Sequence, residues 1–165
     1  MARVVRDAGG ARRWTLQLPP LEARLIAGLP EKLEALLTNP GQNQRVVDRL
    51  FPPGYRDERE AADHRHLLGE TLLEARREML TAVRALLAAG KAGPQGLQLA
   101  LDEPAVDALL RCVNDARLII ATDLDIRSNL GDVQVPPGHP DAARYSLLVY
   151  LGGLEQLLLE AVSEA

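Results

Sequence analysis

Apolar residues recur at intervals of three and four along most of this chain, and prolines or glycines stand at the joints between the runs. That spacing lines one face of an α-helix, so the fold is constrained to be helix-rich before any other feature is weighed. The first run, residues 19–38, opens on Pro19-Pro20 and continues through Leu21, Leu25, Ile26, Leu29, Leu33, Leu36 and Leu37. Pro30 must kink or divide it, because proline lacks the amide donor and clashes with the preceding turn. The second run, residues 57–90, has Asp57 as N-cap, Glu58 and Glu60 near the positive end of the dipole, and Gly90 as its stop. Its inward stripe is expected to be Ala61, His64, Leu68, Leu72, Ala75, Met79, Ala82 and Leu86. The third run, residues 102–125, is capped by Asp102, holds Pro104 in its first turn and turns Val106, Leu109, Leu110, Val113, Ile120 and Leu124 inward. Leu118 and Ile119 fall off that stripe, so this helix is apolar on several sides and belongs at the centre. The fourth run, residues 141–164 behind Asp141, has a main face of Leu147, Leu148, Leu151, Leu154, Leu158 and Val162.

Period-two alternation is confined to short stretches. Arg3 to Arg6, a turn at Asp7-Ala8-Gly9-Gly10 and the alternating Trp14, Leu16 and Leu18 make a β-hairpin of residues 1–18. Leu97, Leu99 and Leu101 alternate after the loop at Gly93-Pro94-Gln95-Gly96 and form a candidate third short strand that would help cover Trp14. Residues 39–56 read as a loop with a helical turn at Val46 to Leu50 and a fixed corner at Leu50-Phe51-Pro52-Pro53-Gly54-Tyr55. The expected architecture is therefore mainly α: a single helical domain over residues 1–165, a bundle of about four long helices with the small β-structure at its edge.

Composition narrows the functional classes. Apolar residues are 47% of the chain but aromatics only 3%, so the interior is built from Leu, Ala and Val. A net charge of -4 disfavours nucleic acid as a partner. Arg3, Arg6, Arg12 and Arg13, opposed by Asp7 alone, are the nearest thing to a basic gathering. Cys112 is the one cysteine, which excludes an internal disulfide; it reads as a small core residue, with Arg111 pointing to another helix face. Residues 1–20 lack the apolar run of a secretory leader, and no stretch of about 20 apolar residues is seen to span a bilayer. A cytoplasmic protein without a membrane role is the expectation.

Few residues invite chemistry. His64 and His66 lie two apart on a helix, where side chains diverge by about 200 degrees, so they cannot share one metal ion. Asp63, His66 and Glu70 share a face, but mixed charges on a solvated helix explain the same letters. Asp123 and Asp125 diverge in the same way and make no paired-carboxylate device. No phosphate loop, dinucleotide fingerprint, zinc spacing or nucleophile elbow occurs, so no catalytic residue, metal ligand or cofactor is assigned. Arg117 is different, because it interrupts the apolar stripe of the third long helix between Val113 and Ile120, where a charge needs a partner. Arg144 and Glu155 intrude on apolar positions of the last helix, and Glu155 is the leading partner for Arg117. A structural ion pair is the favoured reading; an anion or peptide-terminus site lined by Asn114, Arg117 and Glu155 stays open beside it. Val149, Tyr150, Gly153 and Leu157 form a second apolar group on the last helix, and Gly152 and Gly153 each cost about 1 kcal/mol in mid-helix. A second subunit or another helix of the same chain would cover that group.

The run Arg49-Leu50-Phe51-Pro52-Pro53-Gly54-Tyr55-Arg56-Asp57, the segment Val113-Asn114-Asp115-Ala116-Arg117-Leu118 and the late Tyr150-Leu151-Gly152-Gly153-Leu154 resemble the marked stretches of a bacterial family. It is domain of unknown function number two thousand and seventeen, and the resemblance covers most of the chain from Pro20 onward. The family has no established activity. Its genes often neighbour that of the adaptor ClpS, so the resemblance implies a link to Clp-dependent regulated proteolysis, by association rather than mechanism. Some members carry a transcriptional-regulator label, which sits poorly with the missing basic recognition helix. The leading expectation is a non-enzymatic interaction or accessory protein with a protein partner or a second copy of itself. A nucleic-acid-binding regulator acting through the N-terminal arginines, and an enzyme with a small site near Asn114 and Arg117, are the alternatives.

Overall fold

The computed structural model describes residues 1–9, 12–39, 42, 44–50, 58–127 and 129–163, and for residues 58–70 the helical backbone alone. The corner at Phe51 to Tyr55, the Asp57 cap, the face carrying Asp63, His66 and Glu70, and the upper stripe of Ala61, His64 and Leu68 lie outside what is described.

Strands β1 (Arg3–Arg6) and β2 (Trp14–Leu18) open the chain, followed by helices α1 (Pro20–Ala27), α2 (Leu29–Thr38), α3 (Gln44–Leu50) and α4 (Glu58–Ala88). Strands β3 (Lys91–Gly93) and β4 (Gly96–Leu101) come next, then α5 (Glu103–Asp123), a 3-10 turn at Leu130–Asp132 and α6 (Ala142–Ser163). The strands form one antiparallel sheet in the order β1-β2-β4-β3. The architecture is therefore α+β, and the expectation of a helical bundle with β-structure only at its edge is corrected. The reason is energetic. Register places Trp14 opposite Leu101, Leu16 opposite Leu99 and Leu18 opposite Leu97. Trp14, Leu16, Leu18, Leu99 and Leu101 are each at most 2% exposed. Since full burial of one such apolar side chain contributes about 1.5–3 kcal/mol, the sheet is a wall of the core and not its trimming.

The loop read at Gly93-Pro94-Gln95-Gly96 is the tight turn that folds β3 back onto β4, with Gly93 opposite Gly96. Gly96 has φ +114, and a Cβ there would stand 1.9 Å from the Leu18 carbonyl oxygen, so both the turn and the close strand demand glycine.

Pro30 divides the first helical run. The chain breaks at Gly28 and restarts as α2, whose first turn accommodates proline because the amide it lacks would be unbonded there anyway. Asp102 caps α5 by accepting from the Ala105 amide at 2.9 Å. α5 touches α2, α3, α4, α6 and β4, so it is the axle of the core. α4 is rotated from its expected face. Met79, Leu80 and Val83 are buried with Leu73 and Leu87 beside them, whereas Leu72, Ala75 and Ala82 are exposed. α6 turns Leu148, Leu151, Leu154 and Leu158 into the core. Its last turn is tied to the sheet, where Trp14 Nε1 donates to the Ala161 carbonyl at 3.1 Å. With 22 residues, α6 is long and apolar enough, by length and composition only, to cross a bilayer, a measure that core helices of this length also meet.

Candidate functional site

Two largely buried acidic-basic pairs stand on two faces of α5, at positions two residues apart. On one face Asp115, 7% exposed, takes a two-pronged bond from Arg76 of α4: Nε donates to Oδ2 at 2.9 Å and Nη2 to Oδ1 at 3.3 Å. Arg76 Nη2 also donates to the Leu50 carbonyl at 3.2 Å, clamping the end of α3 to the α4–α5 seam. Burial holds the Asp115 carboxyl above its ordinary range, and the Arg76 charge and hydrogen bond, then the Arg111 charge, pull back against it. Burial, and next the Asp115 charge, push the Cys112 thiol up to about 12. A thiol so sealed is no nucleophile at neutral pH.

On the other face Arg117 pairs with Glu155 of α6, their side chains 12% and 22% exposed. Arg117 Nη2 also donates to the Leu130 carbonyl at 3.3 Å, while its Nε, buried, has no partner among the described residues. The guanidinium lies against Gly152: a Cβ there would sit 3.3 Å from Nη2, 3.5 Å from Cζ and 3.6 Å from Nε. Gly152 is thus the groove that lets Arg117 pass under α6. Arg117 and Glu155 form the floor of a depression of about 620 Å³ between α6 and residues 129–133, walled by Leu130, Val133, Val149, Gly153, Gln156 and Leu159 among others.

The structure brings Arg117 and Glu155 together and leaves Asn114 apart: Asn114 is exposed and lines no wall of the depression. Arg144 is exposed, not set among apolar neighbours as its sequence position implies. The second apolar group of α6 is split. Tyr150 and Leu157 pack onto the chain's own core. The Tyr150 hydroxyl donates to Glu22 Oε2 at 3.0 Å, an oxygen that also accepts from the Ala2 amide at 2.8 Å. Burial, then the bond to Glu22 and its charge, raise the Tyr150 hydroxyl above its usual range. Val149, 44% exposed, and Gly153 face outward, and Leu159, also 44% exposed, joins them. Glu22, Arg76 and Asp115 escape a reading by apolar stripes. Asp115 had a signal, because it lies between buried Cys112 and Ile119 at helical spacing.

Two of the N-terminal arginines are engaged inside the chain. Arg3 Nε donates to Gln17 Oε1 at 2.6 Å, and Arg12 pairs with Glu103 at 2.7 Å. Asp125 accepts from Arg45 at 2.9 Å and from Arg127 at 3.3 Å. Among the described residues no group of three or more His, Cys, Asp or Glu side chains gathers to hold a metal ion. A model of the family described as "Domain of unknown function (DUF2017)" matches residues 1–162. No curated protein and no solved structure matches the chain.

Proposed function

The chain belongs to the DUF2017 family, and from the geometry we propose that it is a non-enzymatic protein-interaction domain whose contact face is the outer side of α6 with the depression beside it. One observation carries this reading. The ionisable groups of the site, Arg117 and Glu155, neutralise each other on its floor, while the walls that meet solvent are apolar or uncharged: Val149, Gly153, Gln156 and Leu159. Acid-base or nucleophilic chemistry needs a group free to exchange a proton or an electron pair with substrate. A contact surface needs the reverse, an apolar centre with polar atoms at its margin.

The test is a photo-activated crosslinking residue placed at Gln156, with the exposed Lys91 on β3 as the control position, in cells expressing the full chain. A polypeptide captured from position 156 and not from position 91 supports the reading. Capture of no polypeptide at 156 overturns it.

A further inference from the structure

We infer that the open face of the sheet binds the phosphoryl group of a small molecule. Alternation fixes which residues stand there. Trp14, Leu16 and Leu18 are buried in the core, so Thr15 and Gln17 of β2 point outward, and their cross-strand partners point with them. Register then sets Arg3 of β1, Gln17 of β2, Gln98 of β4 and Lys91 of β3 side by side in one row across all four strands. Neighbouring strands lie about 4.8 Å apart, so the Cα atoms of the two cations close the row at roughly 14 Å. Both long side chains can lean over the glutamines toward one anion.

Three features of this row favour a doubly charged anion. The first is charge. In a chain with 23 acidic and 19 basic residues, no outward residue of the four strands is acidic. The carboxylates that border β1 are engaged: Glu22 accepts from the Tyr150 hydroxyl and the Ala2 amide, and Asp7 accepts from the Thr15 hydroxyl at 3.1 Å. Arg3 and Lys91 make no ion pair among the described residues. The second is orientation. Gln17 Oε1 accepts from Arg3 Nε at 2.6 Å, which holds the guanidinium at the row and leaves both Nη groups uncommitted among the described residues. Guanidinium nitrogens left free in this way are the donors that phosphate takes in pairs. The third is room. The next outward positions are Pro19, Gly96 and Gly93, and two of them have no side chain, so a depression of about 580 Å³ opens beside the polar row. Gly96 is required by its positive φ and by the Leu18 carbonyl, but a Cβ at Gly93 meets nothing within 4 Å, so its bareness serves the floor of the depression. A phosphoryl group carries about −1.5 to −2 at neutral pH, which matches the two cations, and the bare floor takes the organic part of the ligand. A small ligand leaves position 91 a fair control for polypeptide capture at Gln156, and the two sites stand or fall separately.

Amide NMR spectra of the purified full chain are recorded with inorganic phosphate, with phenyl phosphate and with sodium chloride at matched ionic strength. Each phosphate is raised to about 20 mM, since a shallow site with two cations is expected to bind in the millimolar range. Shifts that saturate and are confined to the row and the β3–β4 turn are expected with phosphate and not with chloride. Arg3→Met and Lys91→Met, both at exposed positions, should leave the circular dichroism spectrum unchanged and each weaken binding at least tenfold. Gly93→Val, whose side chain enters open space, should weaken phenyl phosphate more than inorganic phosphate. Equal binding of the two probes to the wild type would place recognition in the phosphoryl group alone, and tighter binding of phenyl phosphate would add the floor; both support the site. No saturable shift with either probe overturns it, as do shifts reproduced by chloride or unchanged in the Arg3→Met and Lys91→Met variants.

Discussion

The same substitution made one residue apart should have opposite effects. In a helix interior Ala is favoured over Gly by about 0.8–1.0 kcal/mol. At Gly153 nothing opposes that gain, because the added methyl meets no atom within 4 Å. Gly153→Ala in the monomer should therefore stabilise the fold by about 0.5–1 kcal/mol. At Gly152 the methyl arrives 3.3 Å from Arg117 Nη2, and the guanidinium must give way by a few tenths of an ångström. It has little freedom to do so, being held by Glu155 on one side and by the Leu130 carbonyl at 3.3 Å on the other. Hydrogen bonds made by a charged group contribute about 1.5–3 kcal/mol, so spoiling even part of the Leu130 contact cancels or exceeds the helix gain. Gly152→Ala should fall between neutral and about 1 kcal/mol destabilising, leaving about 0.5–2 kcal/mol between the two variants. Urea titrations followed by circular dichroism, at concentrations dilute enough for the monomer, read this directly. With a slope of about 1–3 kcal/mol per molar, the midpoints should separate by about 0.2–2 M. Repeating the pair in an Arg117→Met background closes a double-mutant cycle, where Gly152→Ala should recover the full helix gain. Equal stabilisation by both substitutions in the wild-type background would refute the idea that Gly152 exists to admit Arg117.

The Arg76–Asp115 pair supplies the next expectation: Arg76→Ala should cost about 3–5 kcal/mol by stranding a buried carboxylate, whereas Arg76→Met with Asp115→Leu should cost much less than Arg76→Ala alone. A joint replacement as damaging as the single one in urea titrations would contradict that. The pH dependence follows from the raised Asp115 carboxyl, which makes the folded state hold this proton more tightly than the unfolded state does. Its contribution to stability is thus fully present below the ordinary value of 3.8 and is lost as pH rises through the folded value. The stability difference between the wild type and Asp115→Asn should shrink or reverse across that window as pH increases, and a growing difference would show that Arg76 outweighs burial. Cys112, buried and with its thiol pushed up to about 12, should resist thiol-specific reagents in the native protein near pH 8 and react at the rate of unfolding; rapid labelling without denaturant would contradict this.

What the sequence conveys depends on whether a helix offers one apolar stripe or two. In α6 the core face of Leu148, Leu151, Leu154 and Leu158 has few rivals, and the two charges that meet beneath it, Arg117 and Glu155, stand out because each interrupts an apolar run. In α4 two stripes run one residue apart. Leu72 and Leu86 mark one, and Leu73, Leu80, Val83 and Leu87 the other, with Met79 near both. Periodicity is blind to which of them docks. Packing against α5 selects the second, and that selection carries Arg76 inward to Asp115, so the ion pair and the rotation of the helix are one event invisible from either segment alone. Asp115 hides for a related reason: of the neighbours that flag it, Cys112 is small and Ile119 lies off the stripe that periodicity selects, although both are buried. The sheet escapes for another. β3 has three residues, one of them glycine, and alternation cannot be read over so short a span; its pairing is imposed by the turn at Pro94-Gln95 and the positive φ of Gly96. The outer face of α6 remains the place where the letters are known and the partner is not written among them, and there Gly153 is informative because nothing among the described residues requires it.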